Sequence, residues 1–305
     1  PTRPGTDTGT NTGANTGAAT GPGHRRGRPT MTLTPYACAN CGHWQRWFGP
    51  PPACPVCCDV RNALPEEGWD FREEKAVGDL LAAEWDHPVP GVTGFRTVPS
   101  FGLGSTGWLI DAEGGNVAWE AAPYYPRDAL AEIERLGGIA RLGASHVHGY
   151  GALWQLQRHF DPPVVAVGVE DLVWTKAFRV TWPVDERLEL APGLTVHRTG
   201  GHFPGHCVLH DADRGILFCG DTLKVDLDGT VPRALSCHKA YHARIPLSHD
   251  EVRHYRQLIA GLDFAAVATP FEFAAPVSTA DVLRLFDHQL TGRPSTAALP
   301  LGAGR

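Results

Sequence analysis

Apolar positions along this chain follow two periods, and the alternation between them predicts a mixed architecture. Runs that fill or alternate over four to eight positions predict strands, whereas spacings of three and four predict helices. Residues 101–123 read as a hairpin, with strands through Trp108–Ile110 and Val117–Ala121 around Gly114-Gly115-Asn116. A helix is expected over Glu73–Glu84, and another over Asp128–Leu136, capped by Asp128 and stopped by Gly137-Gly138. Ile139–Ala144 is a strand, residues 151–160 (GALWQLQRHF) a helix with one apolar face, and Val164–Val169 a buried strand. Two short strands flank Pro192-Gly193 within Leu188–Thr199. Cys207–His210 and Ile216–Cys219 form a second hairpin around Asp213-Arg214-Gly215. The chain closes with a helix at His249–Ala260, a strand at Phe264–Ala268 and a helix at Thr279–Leu290 capped by Ser278 or Thr279.

Three segments lie just after predicted strands and carry metal-ligand chemistry: SHVHGY (145–150), TGGHFPGH (199–206) and FCGDTL (218–223). His146 and His148 are two apart, so an extended segment would point both imidazoles to one side. His202, in a Gly/Pro-rich turn, and Asp221, after the apolar run ILFC, complete a set suited to a tetrahedral site, with Asp221 as fourth ligand or close neighbour. A single His among fifteen is usually an ordinary surface or core residue; three segments together at strand ends point to a metal.

A second set stands near the start. Cys38-Ala-Asn-Cys41 and Cys54-Pro-Val-Cys57 are separated by twelve residues, and two such CxxC turns make a closed four-thiolate site. Zinc and iron both accept four thiolates; a structural zinc is the expectation, with Cys58 a bystander. Disulfides are the weaker reading, because no secretory segment is seen and further cysteines recur at Cys207, Cys219 and Cys237, as in a cytoplasmic protein.

These segments resemble the metal-binding elements of the metallo-β-lactamase superfamily. The resemblance covers roughly residues 36–290 and is closest to a branch that places a zinc-ribbon or rubredoxin-like cysteine module before a lactamase-like domain. Members of that branch are mostly called hydrolases of unknown substrate, or glyoxalase-like proteins. The implied fold is a four-layer αβ/βα sandwich (α+β/α/β class) preceded by a small four-cysteine module. The full HxHxDH signature is incomplete here: Tyr150 and Gly151 stand where its Asp and last His would hold a second metal, and no His occurs in ATPFEF (268–273), where a final one is expected. One metal in the His/Asp set, zinc by preference and iron as an alternative, is therefore expected, beside one in the cysteine set.

The chain of 305 residues, 42% hydrophobic with a formal net charge of −6, suits a globular protein and gives no basic patch for nucleic acid. No run of eighteen apolar residues exists, so no membrane-spanning helix is expected. Residues 1–35, rich in Thr, Gly and Pro, read as a disordered tail, an over-extended start or a fragment; 36–70 as the cysteine module; 71–292 as the main domain; and 293–305 as a flexible tail.

The expected activity is hydrolysis of a small ester, thioester, lactone or lactam-type substrate, with Asp221 aiding water activation. Tyr150 cannot act as a base at neutral pH, since a phenol titrates near pH ~10, but its hydroxyl could donate to an oxyanion. His206 and Lys224 are candidates for holding a substrate carboxylate or oxyanion, against the plain readings of a turn brace and a solvated lysine. His238 and His242 share i,i+4 spacing but read as surface residues. The alternatives are a non-catalytic metal- or ligand-binding protein and an iron-loaded redox protein.

Overall fold

A computed structural model describes residues 32–62, 64–239 and 245–302. The low-complexity start, up to residue 31, and His242 lie outside the described residues.

The cysteine module is a three-stranded antiparallel sheet of β1 (Thr34–Cys38), β2 (Trp44–Trp47) and β3 (Phe71–Glu73), in the order β2-β1-β3. It is docked on the main domain. Trp44 Nε1 donates to the Pro123 carbonyl at 2.8 Å, and its ring lies 5.1 Å from that of Trp154. At Gly102 (φ +59) a Cβ would run into the backbone of Cys41-Gly42, so the two segments approach as closely as glycine permits.

The helix expected over Glu73–Glu84 is one short turn, α1 (Glu74–Gly78), and the chain then enters β4 (Ala82–Val89), which pairs antiparallel with β5 (Val92–Val98). The register explains the difference: Ala82, Ala83 and Glu84 pair with Val98, Thr97 and Arg96, and that pairing outweighs their helical spacing. β6 (Gly107–Ile110) and β7 (Val117–Trp119) form the predicted hairpin. α2 (Arg127–Arg135) begins after Pro126, so Asp128 sits inside the first turn, where its Oδ1 accepts from the Ala129 N–H, rather than at the cap. β8 (Arg141–Gly143), α3 (Leu153–Phe160), β9 (Val164–Gly168) and β10 (Trp182–Val184) complete a seven-stranded sheet, ordered β10-β9-β8-β7-β6-β5-β4.

The second half opens with β11 (Arg187–Ala191), β12 (Leu194–Arg198), β13 (Cys207–Asp211) and β14 (Ile216–Phe218), close to the predicted hairpins. A hairpin of β15 (Leu223–Asp228) and β16 (Val231–Cys237) comes next, before α4 (His249–Ile259), β17 (Ala266–Ala268), β18 (Phe273–Ala274), α5 (Thr279–Leu290) and β19 (Leu299–Pro300). Ser248 and Ser278 each cap a helix through a reciprocal box with Glu251 and Asp281. A six-stranded sheet runs β11-β12-β13-β14-β17-β18; a small sheet is β15-β16-β19. β19 falls where a flexible tail was expected, and its Leu299 pairs with Leu235 of β16.

Alternation along the strands makes four layers. Trp108, Ile110, Leu209, Ile216 and Phe218 meet between the two large sheets. Leu109, Leu142 and Val165 face the other way, onto Leu130 and Ile133 of α2 and Leu153 and Leu156 of α3. Val208, Leu217 and Val267 likewise face Val252 and Ile259 of α4 and Leu285 and Phe286 of α5. Both large sheets thus bury two faces, and helices form the outer layers: an αβ/βα sandwich carrying a small cysteine-rich module. Among the described residues no helix is long and apolar enough to cross a membrane.

Candidate metal centre

The first two imidazoles do not sit on one extended segment. His146 is extended (φ −166°, ψ −176°) beyond the end of β8, and Val147–Gly149 then closes into a 3-10 turn. The rings converge because the chain turns, not because a strand alternates. Three contacts fix that turn: the Gly149 N–H donates to the His146 carbonyl at 3.0 Å, the Ala121 N–H to the Gly149 carbonyl at 2.8 Å, and the Ser145 N–H to Glu120 Oε1 at 3.3 Å. Ser145 Oγ lies 2.7 Å from His146 Nδ1, which anchors that ring by one nitrogen and leaves Nε2 for the centre.

His202 comes from the loop between β12 and β13. Gly200 and Gly201 take positive φ (60° and 82°), as the tight turn requires. The Gly205 N–H donates to buried Asp171 Oδ1 at 2.9 Å, and Arg61 Nη1 donates to the His202 carbonyl at 3.1 Å. Asp221 comes after β14 through Gly220 (φ +56), where any Cβ would strike Ser145 and the His206 ring.

Asp221 Oδ2 lies 3.3 Å from His146 Nε2, 3.4 Å from His148 Nδ1 and 3.7 Å from His202 Nε2. One ligand atom from each of the four residues lies within 4.8 Å of the others, and all four side chains are buried. Ligand bonds of ~2.0–2.1 Å give tetrahedron edges of about 3.4 Å, so the observed spacing suits a small divalent cation. Both ring nitrogens of His202 and the Nε2 of His146 are buried without a hydrogen-bond partner, which is costly unless something else occupies them. Burial holds His202 well below the usual imidazole range and lowers His146, keeping them neutral, the form that ligates. Burial would raise the Asp221 carboxyl, but the surrounding imidazoles, His146 foremost, hold it well below the usual carboxylate range.

The four cysteines meet as the spacing predicts. Cys38 and Cys57 Sγ are 3.9 Å apart and Cys41 and Cys54 Sγ 3.6 Å, against a tetrahedral edge of about 3.8 Å for ~2.3 Å metal–sulfur bonds. All four are buried and Cys58 is exposed. Among the described residues these are the two groups with metal-ligand geometry.

The remaining expected residues are placed differently. Tyr150 is buried edge-on to Phe178 at 5.3 Å, its hydroxyl has no hydrogen-bond partner, and burial pushes its phenol well above the usual range. His206 is buried with Nδ1 2.7 Å from Thr199 Oγ1, Nε2 3.3 Å from Thr222 Oγ1, and its ring 5.1 Å from that of His146. Lys224 is exposed on β15, its Nζ 5.9 Å from the centre of the Phe271 ring. His238 is not a surface residue. It follows directly after β16, is buried with a partnerless Nδ1, and its ring lies 6.4 Å from that of His202. With Asp221, Lys224, Thr269, Phe271 and Glu272 it lines a cavity of about 30 Å³ beside the centre. The β15–β16 hairpin carries it there; Asp228-Gly229 marks the turn of that hairpin, but nothing local to His238 shows that the hairpin delivers it beside the centre.

Glu120 and Arg61 are further residues that the sequence does not single out. Glu120 comes after β7 at φ +61° and is fully buried, and desolvation pushes its carboxyl up to about 8. An acidic residue ending an apolar strand is the one local sign of it.

Comparisons with known proteins agree with this fold. The sequence profile of the metallo-beta-lactamase superfamily matches residues 144–296. YmaE, an uncharacterized protein of Bacillus subtilis (strain 168), is 30% identical over 250 residues, 77% of this chain and 88% of its own. Among solved structures, the metallo-beta-lactamase FIM-1 from Pseudomonas aeruginosa in its mono-zinc form aligns with a TM-score of 0.51 at 13% identity, over 69% of this chain and 97% of its own. The metal-soaked Flv1 flavodiiron core from Synechocystis sp. PCC6803 gives 0.51 at 12% identity, over 69% and 61%. These two likenesses are of fold. The chain belongs to the metallo-beta-lactamase superfamily.

Proposed function

We propose that this protein is a metal-dependent hydrolase, with zinc held by His146, His148, His202 and Asp221, acting on a small ester, thioester, lactone or lactam. The observation that carries the reading is the set of buried imidazole nitrogens without partners facing one carboxylate oxygen at tetrahedral spacing. When bound, such a cation supplies Lewis acidity toward a carbonyl and brings the ionisation of water near neutral pH. FIM-1, which shares the fold, was solved with a single zinc, in keeping with one cation on this chain.

The chain's own groups divide the remaining work. Asp221, its carboxyl held well below the usual range, serves as ligand or accepts a hydrogen bond from the water. Lys224 and His238 border the small cavity beside Asp221, which supports a role for them in meeting an anionic or carbonyl group of a substrate. His206 has both ring nitrogens near threonine hydroxyls, which suits it to bracing the turn more than to touching substrate. Tyr150 assists at most through its hydroxyl. The four-cysteine group, closed and buried, suits a structural metal.

A chromogenic panel of esters, thioesters, lactones and lactams tests the reading, run on metal-loaded and metal-stripped protein. Metal-dependent turnover is expected, abolished by His202→Ala and lowered at least ~10²-fold by Asp221→Asn, the loss expected for a positioned base or ligand. A zinc-loaded, folded wild type inert to every class would refute the hydrolase.

A further inference from the structure

The second CxxC turn does not end at its metal ligands. From Cys54 the chain runs through a series of hydrogen-bonded turns: Cys58 N–H to Cys54 O (3.1 Å), Asp59 N–H to Val56 O (3.1 Å) and Asn62 N–H to Asp59 O (3.0 Å), with Asn62 Nδ2 also donating to Val56 O at 2.8 Å. This rigid piece presents Arg61, four residues after Cys57. Asp59 grips the guanidinium with both oxygens, at 2.6 and 2.7 Å from Nε and Nη2, and accepts the Arg61 N–H as well. Thus fixed, Arg61 places its guanidinium carbon 3.7 Å from the centre of the Phe203 ring and donates to the His202 carbonyl at 3.1 Å. Its side chain is only 15% exposed, so the clamp is shielded from competing water. The cysteines and Phe203 also share one buried cluster with Val147, the residue between His146 and His148.

We propose that Arg61 is a positioning residue through which the cysteine module sets the geometry of the His/Asp centre. His202 sits in a glycine-rich turn with little intrinsic preference for one conformation, and its side chain bonds to nothing that would orient it. Its direction is therefore set by backbone neighbours. Arg61 holds two of these at once, the carbonyl of His202 and the ring of Phe203 next to it. A planar guanidinium suits this task because one edge binds Asp59 bidentately, Nη1 remains to donate, and the flat face covers the ring. The inference rests on the metal reading of the His/Asp set and is independent of turnover. A filled cysteine site would then raise affinity at the His/Asp centre, about as much as groups that orient ligands usually do.

The test is Co²⁺ titration of the metal-stripped full chain, following thiolate charge-transfer absorption for the cysteine site and the weaker d–d bands for the His/Asp site. Arg61→Met, which keeps the apolar stem, should leave the cysteine site unchanged, weaken the His/Asp site on the order of 10-fold and shift its d–d bands at saturation. Arg61→Lys should restore part of both, since one ammonium can still reach the carbonyl. Asp59→Asn, which frees the guanidinium without removing it, should move affinity the same way by less. If Arg61→Met does not fold, the Lys and Asn variants decide the matter. Wild-type affinity and bands in the folded variants would overturn the coupling alone. A wild type binding Co²⁺ only at the cysteines would overturn the metal reading and the coupling together.

Discussion

Glu120 Oε2 occupies the space that a Cβ on residue 149 would need. The two residues are therefore one device. Gly149 closes the turn that brings His148 beside His146, and the buried carboxyl group behind it accepts from Ser145 N–H, next to His146. A strained residue at positive φ supports a turn that tolerates no side chain, and such strain is retained where surrounding structure enforces it.

Gly149→Ala should accordingly displace Glu120 or the turn. The expected cost is ~1–3 kcal/mol, the range for overpacking a close-packed interior, with loss of metal at the His/Asp centre while the four-cysteine group stays filled. Adding Glu120→Ala should recover part of the loss by opening the space. Metal content per chain and thermal melting of the single and double variants decide this; a fully loaded Gly149→Ala chain would contradict it.

Cys54→Ser should remove one metal equivalent. Cys54 is completely buried against Cys41, and closed thiolate sites contribute folding energy directly. A fall in melting temperature of roughly 10 °C is expected, the scale of losing ~3–4 kcal/mol from a chain of this size. The His/Asp centre keeps all four ligands and stays loadable, at reduced affinity if Arg61 loosens. Unchanged metal content and melting would dismiss the structural role of the cysteines.

A second metal site cannot be restored by rewriting the sequence motif alone. Gly151 sits at φ +33°, and any Cβ there would collide with the carbonyl oxygens of Ala121 and Ala122. Tyr150→Asp with Gly151→His, which recreates the HxHxDH string, should therefore destabilise the protein without raising metal content. Elemental analysis showing one additional equivalent in this double variant would disprove the steric argument.

Much of the site was legible because its residues are chemically unusual where they stand. Two CxxC pairs, a His-x-His and a Gly-rich His turn rarely share a chain that binds no metal, and their side chains meet at the expected spacing. The hairpins around Gly114-Gly115-Asn116, Pro192-Gly193 and Asp213-Arg214-Gly215 were legible because turn residues punctuate alternating strands. What escaped depends on long-range pairing. Ala82–Glu84, the end of the expected helix, belongs to a strand because it pairs with Arg96–Val98, a partner no local pattern records. LKVDLD alternates and runs into an Asp228-Gly229 turn, so this hairpin was open to a sequence reading; that its pairing with VPRALSC buries His238 beside the centre was not. Arg61 and Glu120 act on residues 141 and 25 positions away, and no local pattern records such partners.

Acid and base should act on the fold through Asp171. This residue is buried, with Oδ1 accepting from the Gly205 N–H and Oδ2 without a partner. Desolvation pushes its carboxyl up to about 7, with Glu170 adding to the rise, while the Gly205 N–H and the Arg61 charge pull it down. A carboxyl whose folded value lies above its unfolded value of ~3.9 favours the folded state fully at pH below ~4. That advantage is lost as pH rises through about 7. Asp171→Asn keeps the acceptor for Gly205 and cannot ionise, so its stability relative to wild type should climb between about pH 4 and 7 and then level off. A shift of this size corresponds to at most about 4 kcal/mol, and a gain on the order of 2–4 kcal/mol at pH 7.5 is expected. Denaturant melts of both proteins at pH 5 and pH 7.5 provide the measurement, and a difference that does not grow with pH would show that Asp171 is already ionised in the folded protein.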